Sequence, residues 1–175
     1  MRIEPLPERL FDAAIRLWHD SGLTRPWNDP EADLRRAAGG GSSCVLAAIG
    51  DDDALLATAM VGHDGHRGWV YYLAVDAAQR GRGLGRQMME ACEDWVRSRG
   101  IPKIQLMVRA TNQGTIGFYE HLGYADSEVV VLGHRLDGWS QIRQPRERAT
   151  GDGNRILHDH IRSPEAGQRA PDGDV

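Results

Sequence analysis

A chain of 175 residues, 41% of them apolar, can bury one core and is short for more than one domain. Its net charge of -4 argues against a nucleic-acid partner, and no apolar run nears the roughly 20 residues a membrane helix needs. The N-terminus lacks a signal-peptide pattern. Cys44 and Cys92, the only cysteines, suit reduced thiols in a cytoplasmic protein better than a disulfide or a metal pair.

In chain order, residues 2–5 read as a short strand. From Pro7 the apolar positions Leu10, Phe11, Ala14, Ile15 and Trp18 recur at the helical period until Ser21-Gly22 stops them. Asp29-Pro30-Glu31 combines a cap, a proline at the first helical position and an acid in the first turn, and this second helix runs to Gly39-Gly40-Gly41. Residues 44–49 and 55–61 read as strands joined through Gly50-Asp51-Asp52-Asp53. Asp64-Gly65-His66-Arg67-Gly68 is a hairpin turn into a further strand over residues 69–75. From Leu84, the positions Met88, Ala91, Cys92, Trp95 and Val96 follow the helical period to Gly100. Ile104, Leu106 and Val108 alternate as a strand, residues 112–121 read as a helix, and residues 129–136 as a last strand.

The run Gln79-Arg80-Gly81-Arg82-Gly83-Leu84-Gly85-Arg86 lies between a strand and the start of a helix. Glycines let the backbone approach a ligand, and a helix's first turn offers unpaired N–H groups, so the loop suits an anion such as a pyrophosphate. It lacks the Gly-Lys-Ser/Thr of a P-loop, and Arg86 occupies the last position of a G-x-G-x-x-G counted from Gly81. What remains is Arg80-x-x-Gly83-x-Gly85. Downstream stands Asn112-Gln113-Gly114-Thr115-Ile116-Gly117-Phe118-Tyr119-Glu120-His121-Leu122-Gly123-Tyr124. In this order, with one helix and one strand between them, the two motifs resemble the signatures of the GCN5-related N-acetyltransferase (GNAT) superfamily, in a bacterial branch whose substrates are poorly characterised. The likeness spans about residues 1–137 and is firmest from Trp69 to Tyr124.

The resemblance implies an α/β GNAT fold: a mixed, mostly antiparallel sheet of six to seven strands with a splayed middle pair, flanked by about four helices. It implies acetyl transfer from acetyl-CoA to a primary amine by direct attack in a ternary complex. Such transfer needs a grip on the pyrophosphate, an aligned thioester, an uncharged amine, an oxyanion donor and a proton for the leaving thiolate. The grip falls to the backbone of Gly81, Arg82, Gly83, Leu84, Gly85 and Arg86, with Arg80 and Arg86 as added charge or as solvated surface residues. By resemblance, the main chain of Leu73, Ala74 and Val75 pairs with the pantetheine arm, an N–H near Leu73 faces the oxyanion, and Asn112 both caps its helix and touches the cofactor. Tyr119 is the expected acid, since a phenol with a pKa near ~10 stays protonated at neutral pH. As a plain helix residue beside Ile116 and Leu122 it would equally read as core.

The base is the open position. Where many relatives carry a glutamate this chain has Tyr71, with Tyr72 beside it; His63, His66 and Asp29 are the alternatives. The connection Leu23-Thr24-Arg25-Pro26-Trp27-Asn28-Asp29-Pro30 is the expected acceptor border, with Trp27 either on the core or on the substrate. The acids Asp29, Glu31, Asp33, Asp51, Asp52 and Asp53 could line a groove for a basic peptide or serve as caps and turns. A small-molecule amine acceptor, a protein or peptide acceptor and a non-catalytic acyl-CoA-binding module therefore all stay open.

From residue 139 the composition changes. Six arginines balance six acids, and apolar residues are scattered, so residues 139–175 read as a disordered tail after a domain at 1–138, with a short helix near residues 156–161. His158-Asp159-His160 has no surrounding constellation, and no metal is expected. If the last strand is an exposed edge, a homodimer or the tail would cover it.

Overall fold

The computed structural model describes residues 1–136. Met1–His134 form one compact unit. The expected tail, its short helix and the His158-Asp159-His160 run lie outside the described residues. Five strands form one sheet in the order β1 (Arg2–Pro5), β2 (Ser43–Ile49), β3 (Leu55–His63), β4 (Gly68–Val75) and β5 (Ile104–Leu106). The first three pairings are antiparallel, and β4 pairs with β5 in parallel. Four α-helices flank the sheet: α1 (Phe11–Asp20), α2 (Pro30–Gly39), α3 (Leu84–Arg97) and α4 (Gln113–Glu120).

The alternation of side chains along β2 shows how the layers form. Val45, Ala47 and Ile49 face Ala14, Leu17 and Trp18 of α1 and Leu34 and Ala37 of α2. Leu46 and Ala48 face the opposite way, with Leu84, Met88, Cys92 and Val96 of α3 and Tyr119 of α4. Both faces are covered, which is why β2 reads as an unbroken apolar run. The caps hold the helices where the sequence places them. One oxygen of Asp29 accepts from the amides of Glu31 and Ala32, each at 3.0 Å, with Pro30 at the first helical position. Asn112 accepts from the Thr115 amide at 3.3 Å and starts α4.

The fold class is the expected one, with two differences in detail. The strand expected over residues 129–136 does not form. Val129, Val130, Val131 and Leu132 are 61–86% exposed, and Glu128 before them turns at a φ of 51°. Four successive apolar residues have strand propensity but no alternation to turn one face inward, and a ladder needs a partner. The strand through Ile104 and Leu106 stops before Val108. It pairs with β4 only from Gly68↔Ile104 to Val70↔Leu106. Residues 71–75 of β4 therefore have no paired strand on that side among the described residues, and β5 parts from β4 there.

Candidate active site

The parting begins at a bulge. Between the pairs Met60↔Tyr71 and Thr58↔Ala74, β3 advances two residues while β4 advances three. The extra residue brings Tyr71 onto the side of Met60 and leaves Tyr72 on that same side, packed with the α1–α2 cluster. Tyr72 takes a φ of 50°, a left-handed conformation that costs a bulky residue about 1–2 kcal/mol. Its ring stacks on Trp18 at 4.2 Å between centroids and 22° between planes, and its hydroxyl donates to Asp33 at 2.9 Å. Burial first, and then the Asp33 carboxylate, push its pKa up to about 12. Tyr71, by contrast, is 42% exposed.

From Val75 the chain passes Asp76, whose carboxylate accepts from the Ala78 amide at 2.8 Å, and enters the glycine-rich loop. Arg80 Nε donates to the Val75 carbonyl at 3.2 Å, so this exposed arginine pins the loop to the end of β4. Arg82 reaches Gln79 at 3.3 Å. Gly81 and Gly83 have φ of 75° and 78°, and a Cβ on either would meet nothing within 4 Å. Conformation and open space together account for glycine there. Gly83 is the N-cap of α3 and supplies no side-chain cap, and the first turn of the helix holds no acid. The amides that Asp29 satisfies in α2 and Asn112 in α4 are left in α3 without a side-chain acceptor, with Arg86 beside them. Amides and charge of this kind suit an anion.

Gly85 joins this loop to α4. A Cβ there would stand 3.2 Å from the Phe118 ring and 3.9 Å from Val75 Cγ2, so the end of β4, the start of α3 and α4 converge on one small residue. Tyr119 lies next in α4, buried, in edge contact with Phe118 at 5.0 Å and with Tyr124 at 5.7 Å. Burial raises its pKa to about 12, with the Cys92 thiol beneath it adding to the rise. Tyr124 is fixed by a 2.8 Å hydrogen bond to Glu93. Cys92 is buried and Cys44 half-buried; both are free thiols, and burial raises both pKa values.

The two histidine candidates for a base lie away from this site. His63 pairs with Gly68 at the opposite end of β4, roughly 15 Å along the strand from Leu73. His66 lies in the exposed hairpin turn that Asp64 organises by accepting from the amides of His66 and Arg67. Asp29 serves as the α2 cap. Trp27 is 40% exposed. What sequence reading passed over is the group around Tyr72. Asp33 reads in sequence as a rim, cap or turn acid and Trp18 as a core position, and nothing local shows that Tyr72 meets Asp33, 39 residues before it, or that its ring stacks on Trp18.

The Acetyltransferase (GNAT) family matches residues 12–124, a span that runs from α1 through α4 and takes in the bulge and the loop. The chain belongs to this family: it is an acyl-CoA-dependent N-acetyltransferase, and acetyl-CoA is its co-substrate. Solved structures share the fold at low identity. A tetramutant of the BH1408 protein from Bacillus halodurans superposes with a TM-score of 0.64 at 20% identity, covering 77% of this chain and 100% of that one. AAC(6')-Iy, in complex with the bisubstrate analog CoA-S-monomethyl-acetylneamine, gives 0.65 at 16%, covering 77% and 97%. Aminoglycoside 6'-N-acetyltransferase AAC(6')-IG from Acinetobacter haemolyticus gives 0.64 at 19%, covering 77% and 98%.

Proposed function

We propose that the chain acetylates a primary amine on a small molecule by direct attack on acetyl-CoA, with both substrates bound together. The observation that carries this is the meeting, at Gly85, of an unpaired stretch of β4 with a helix start that has no side-chain cap. A stretch of main chain without a neighbour suits the pantetheine arm, which can pair with Leu73, Ala74 and Val75 as a strand would. The open loop suits the pyrophosphate: the backbone of Gly81, Arg82, Gly83, Leu84, Gly85 and Arg86 holds it, Arg86 adds charge, and Arg80 sets the loop against Val75. Asn112, as the cap of α4, borders the cofactor. The chemistry the cofactor supplies is an activated acetyl group. This chain's residues align it, and the amide of Leu73 donates to the carbonyl oxygen as charge builds there.

Tyr119 serves the leaving sulfur. At a pKa of about 12 the phenol is protonated throughout the neutral range. A thiol near ~8.5 is the stronger acid, so the Tyr119 hydroxyl stabilises the departing thiolate as a hydrogen-bond donor rather than by complete proton loss. With His63 and His66 at the far end of β4, Asp29 engaged as the α2 cap, Tyr71 raised by burial and Tyr72 raised to about 12, the acceptor gives its proton to water. Turnover should then follow the free-amine fraction of each acceptor. The test is thiol release from acetyl-CoA against a panel of small amines, amino acids and basic peptides across pH. Release with small amines, with kcat/KM rising up to each amine's own pKa, supports the reading. Release with peptides alone would make the acceptor a protein, and tight acetyl-CoA binding with no release would make the chain a binding module.

A further inference from the structure

We propose that Tyr72 is a positioning residue for acetyl transfer: held by Asp33, Trp18 and Thr58, it turns the peptide that follows it so that the Leu73 N–H faces the gap between β4 and β5. The proposal rests on the reading of the Leu73 amide as donor to the thioester carbonyl, and it names what aims that donor.

The contacts close into a ring. Trp18 Nε1 donates to Thr58 Oγ1 at 2.8 Å. With a lone pair so occupied, the Thr58 hydroxyl directs its own proton to the Tyr72 carbonyl, at 3.4 Å, long for a hydroxyl donor. The Tyr72 ring returns to Trp18 by stacking. Thr58 and Trp18 are both fully buried, so neither donor has water as an alternative. The peptide bond between Tyr72 and Leu73 is trans, so the oxygen and the hydrogen of that peptide unit point in opposite directions. A Tyr72 carbonyl turned to Thr58 on β3 therefore turns the Leu73 N–H away from Thr58, toward the side where β5 has parted from β4.

Packing alone does not require the rest. Stacking a tyrosine on Trp18 needs neither its hydroxyl nor a left-handed backbone, yet Tyr72 has both a bond to Asp33 and a φ of 50°. A strained residue persists where its surroundings over-determine it, and here α1, α2 and β3 each hold it once. Asp33 is in turn fixed by Arg36 within α2. The bond from Tyr72 to Asp33 is thus the part of the arrangement that can be cut with the ring and its stack left in place.

The experiment is isotope-edited infrared difference spectroscopy of acetyl-CoA labelled with ¹³C at the acetyl carbonyl, bound to the full chain, with melting temperature and acetyl-CoA affinity measured alongside. In the wild type the carbonyl band should move to lower frequency on binding. Tyr72→Phe and Asp33→Ala, which remove the same bond from opposite ends, should each lose half or more of that displacement and slow thiol release roughly 10- to 100-fold, since a small misplacement costs that much. Affinity should stay within about threefold, because the pyrophosphate contacts are untouched. Asp33→Asn, which still offers an acceptor oxygen, should restore most of the displacement. A full displacement in a folded Tyr72→Phe or Asp33→Ala protein overturns the positioning role. An undisplaced band in the wild type overturns the Leu73 reading itself, and the positioning role with it.

Discussion

Tyr119 sits buried between Phe118 and Tyr124, with its pKa raised to about 12. If its hydroxyl steadies the leaving sulfur, Tyr119→Phe should slow turnover by roughly 10- to 10³-fold, the range for losing one such donor. Acetyl-CoA affinity should be unchanged, because only the hydroxyl is lost; equal turnover under rate-limiting chemistry would return Tyr119 to core packing. Arg80 has a contact that charge alone does not show. In sequence it reads as added charge for an anion or as a solvated surface residue; in the fold its Nε bonds the Val75 carbonyl and ties the loop to the end of β4. Asp29 and Asn112 were legible because a cap is a local contact between a side chain and amides two or three residues on.

Elements were legible where neighbours in sequence decide them. The glycine-rich turn before α3 needs left-handed residues at Gly81 and Gly83, and the sequence shows them directly. If the loop holds the pyrophosphate, Asp at Gly83 would combine an unfavourable φ with a carboxylate beside the phosphates, so Gly83→Asp should remove acetyl-CoA binding in calorimetry. The strain, about 1–2 kcal/mol, should lower the melting temperature without unfolding the domain. Unchanged affinity would take the loop out of the cofactor site. The bulge in β4 was not legible. Residues 69–75 read in sequence as one strand, and only pairing with β3 shows the extra residue at Tyr71 and Tyr72. The run Val129-Val130-Val131-Leu132 misleads in the other direction, because strand propensity is visible in sequence and the absence of a partner is not.

At the scale of the molecule, several groups keep their protons in the fold beyond the pH at which the unfolded chain gives them up. Cys92 rises from 9.0 to about 12, and Tyr72 and Tyr119 from 10.0 to about 12, all chiefly by burial. Folded values above unfolded ones mean stability that is complete below the unfolded pKa and is lost as pH climbs toward the folded one. The melting temperature should therefore fall progressively from about pH 9 upward; a flat profile to pH 11 would show that these groups are not sheltered. We propose further that residues 1–138 suffice for folding and cofactor binding, since those after 138 carry balanced charge and little apolar periodicity. Stopping after Gly138 should leave melting temperature and acetyl-CoA affinity nearly unchanged. A protease-resistant fragment reaching Ile161 would oppose that.

The parting of β4 from β5 has a consequence for hydrogen exchange. Main-chain groups of residues 71–75 on the β5 side have no paired strand opposite them among the described residues, so amides facing that side should trade protons with solvent quickly although β4 is paired to β3 along its other side. Acetyl-CoA, laid along them, would act as the missing strand, and its arrival should slow exchange over those few amides and little elsewhere. On that reading a metabolite would complete the sheet. At free acetyl-CoA one hundred times its dissociation constant, that completion would stabilise the fold by about 2.7 kcal/mol.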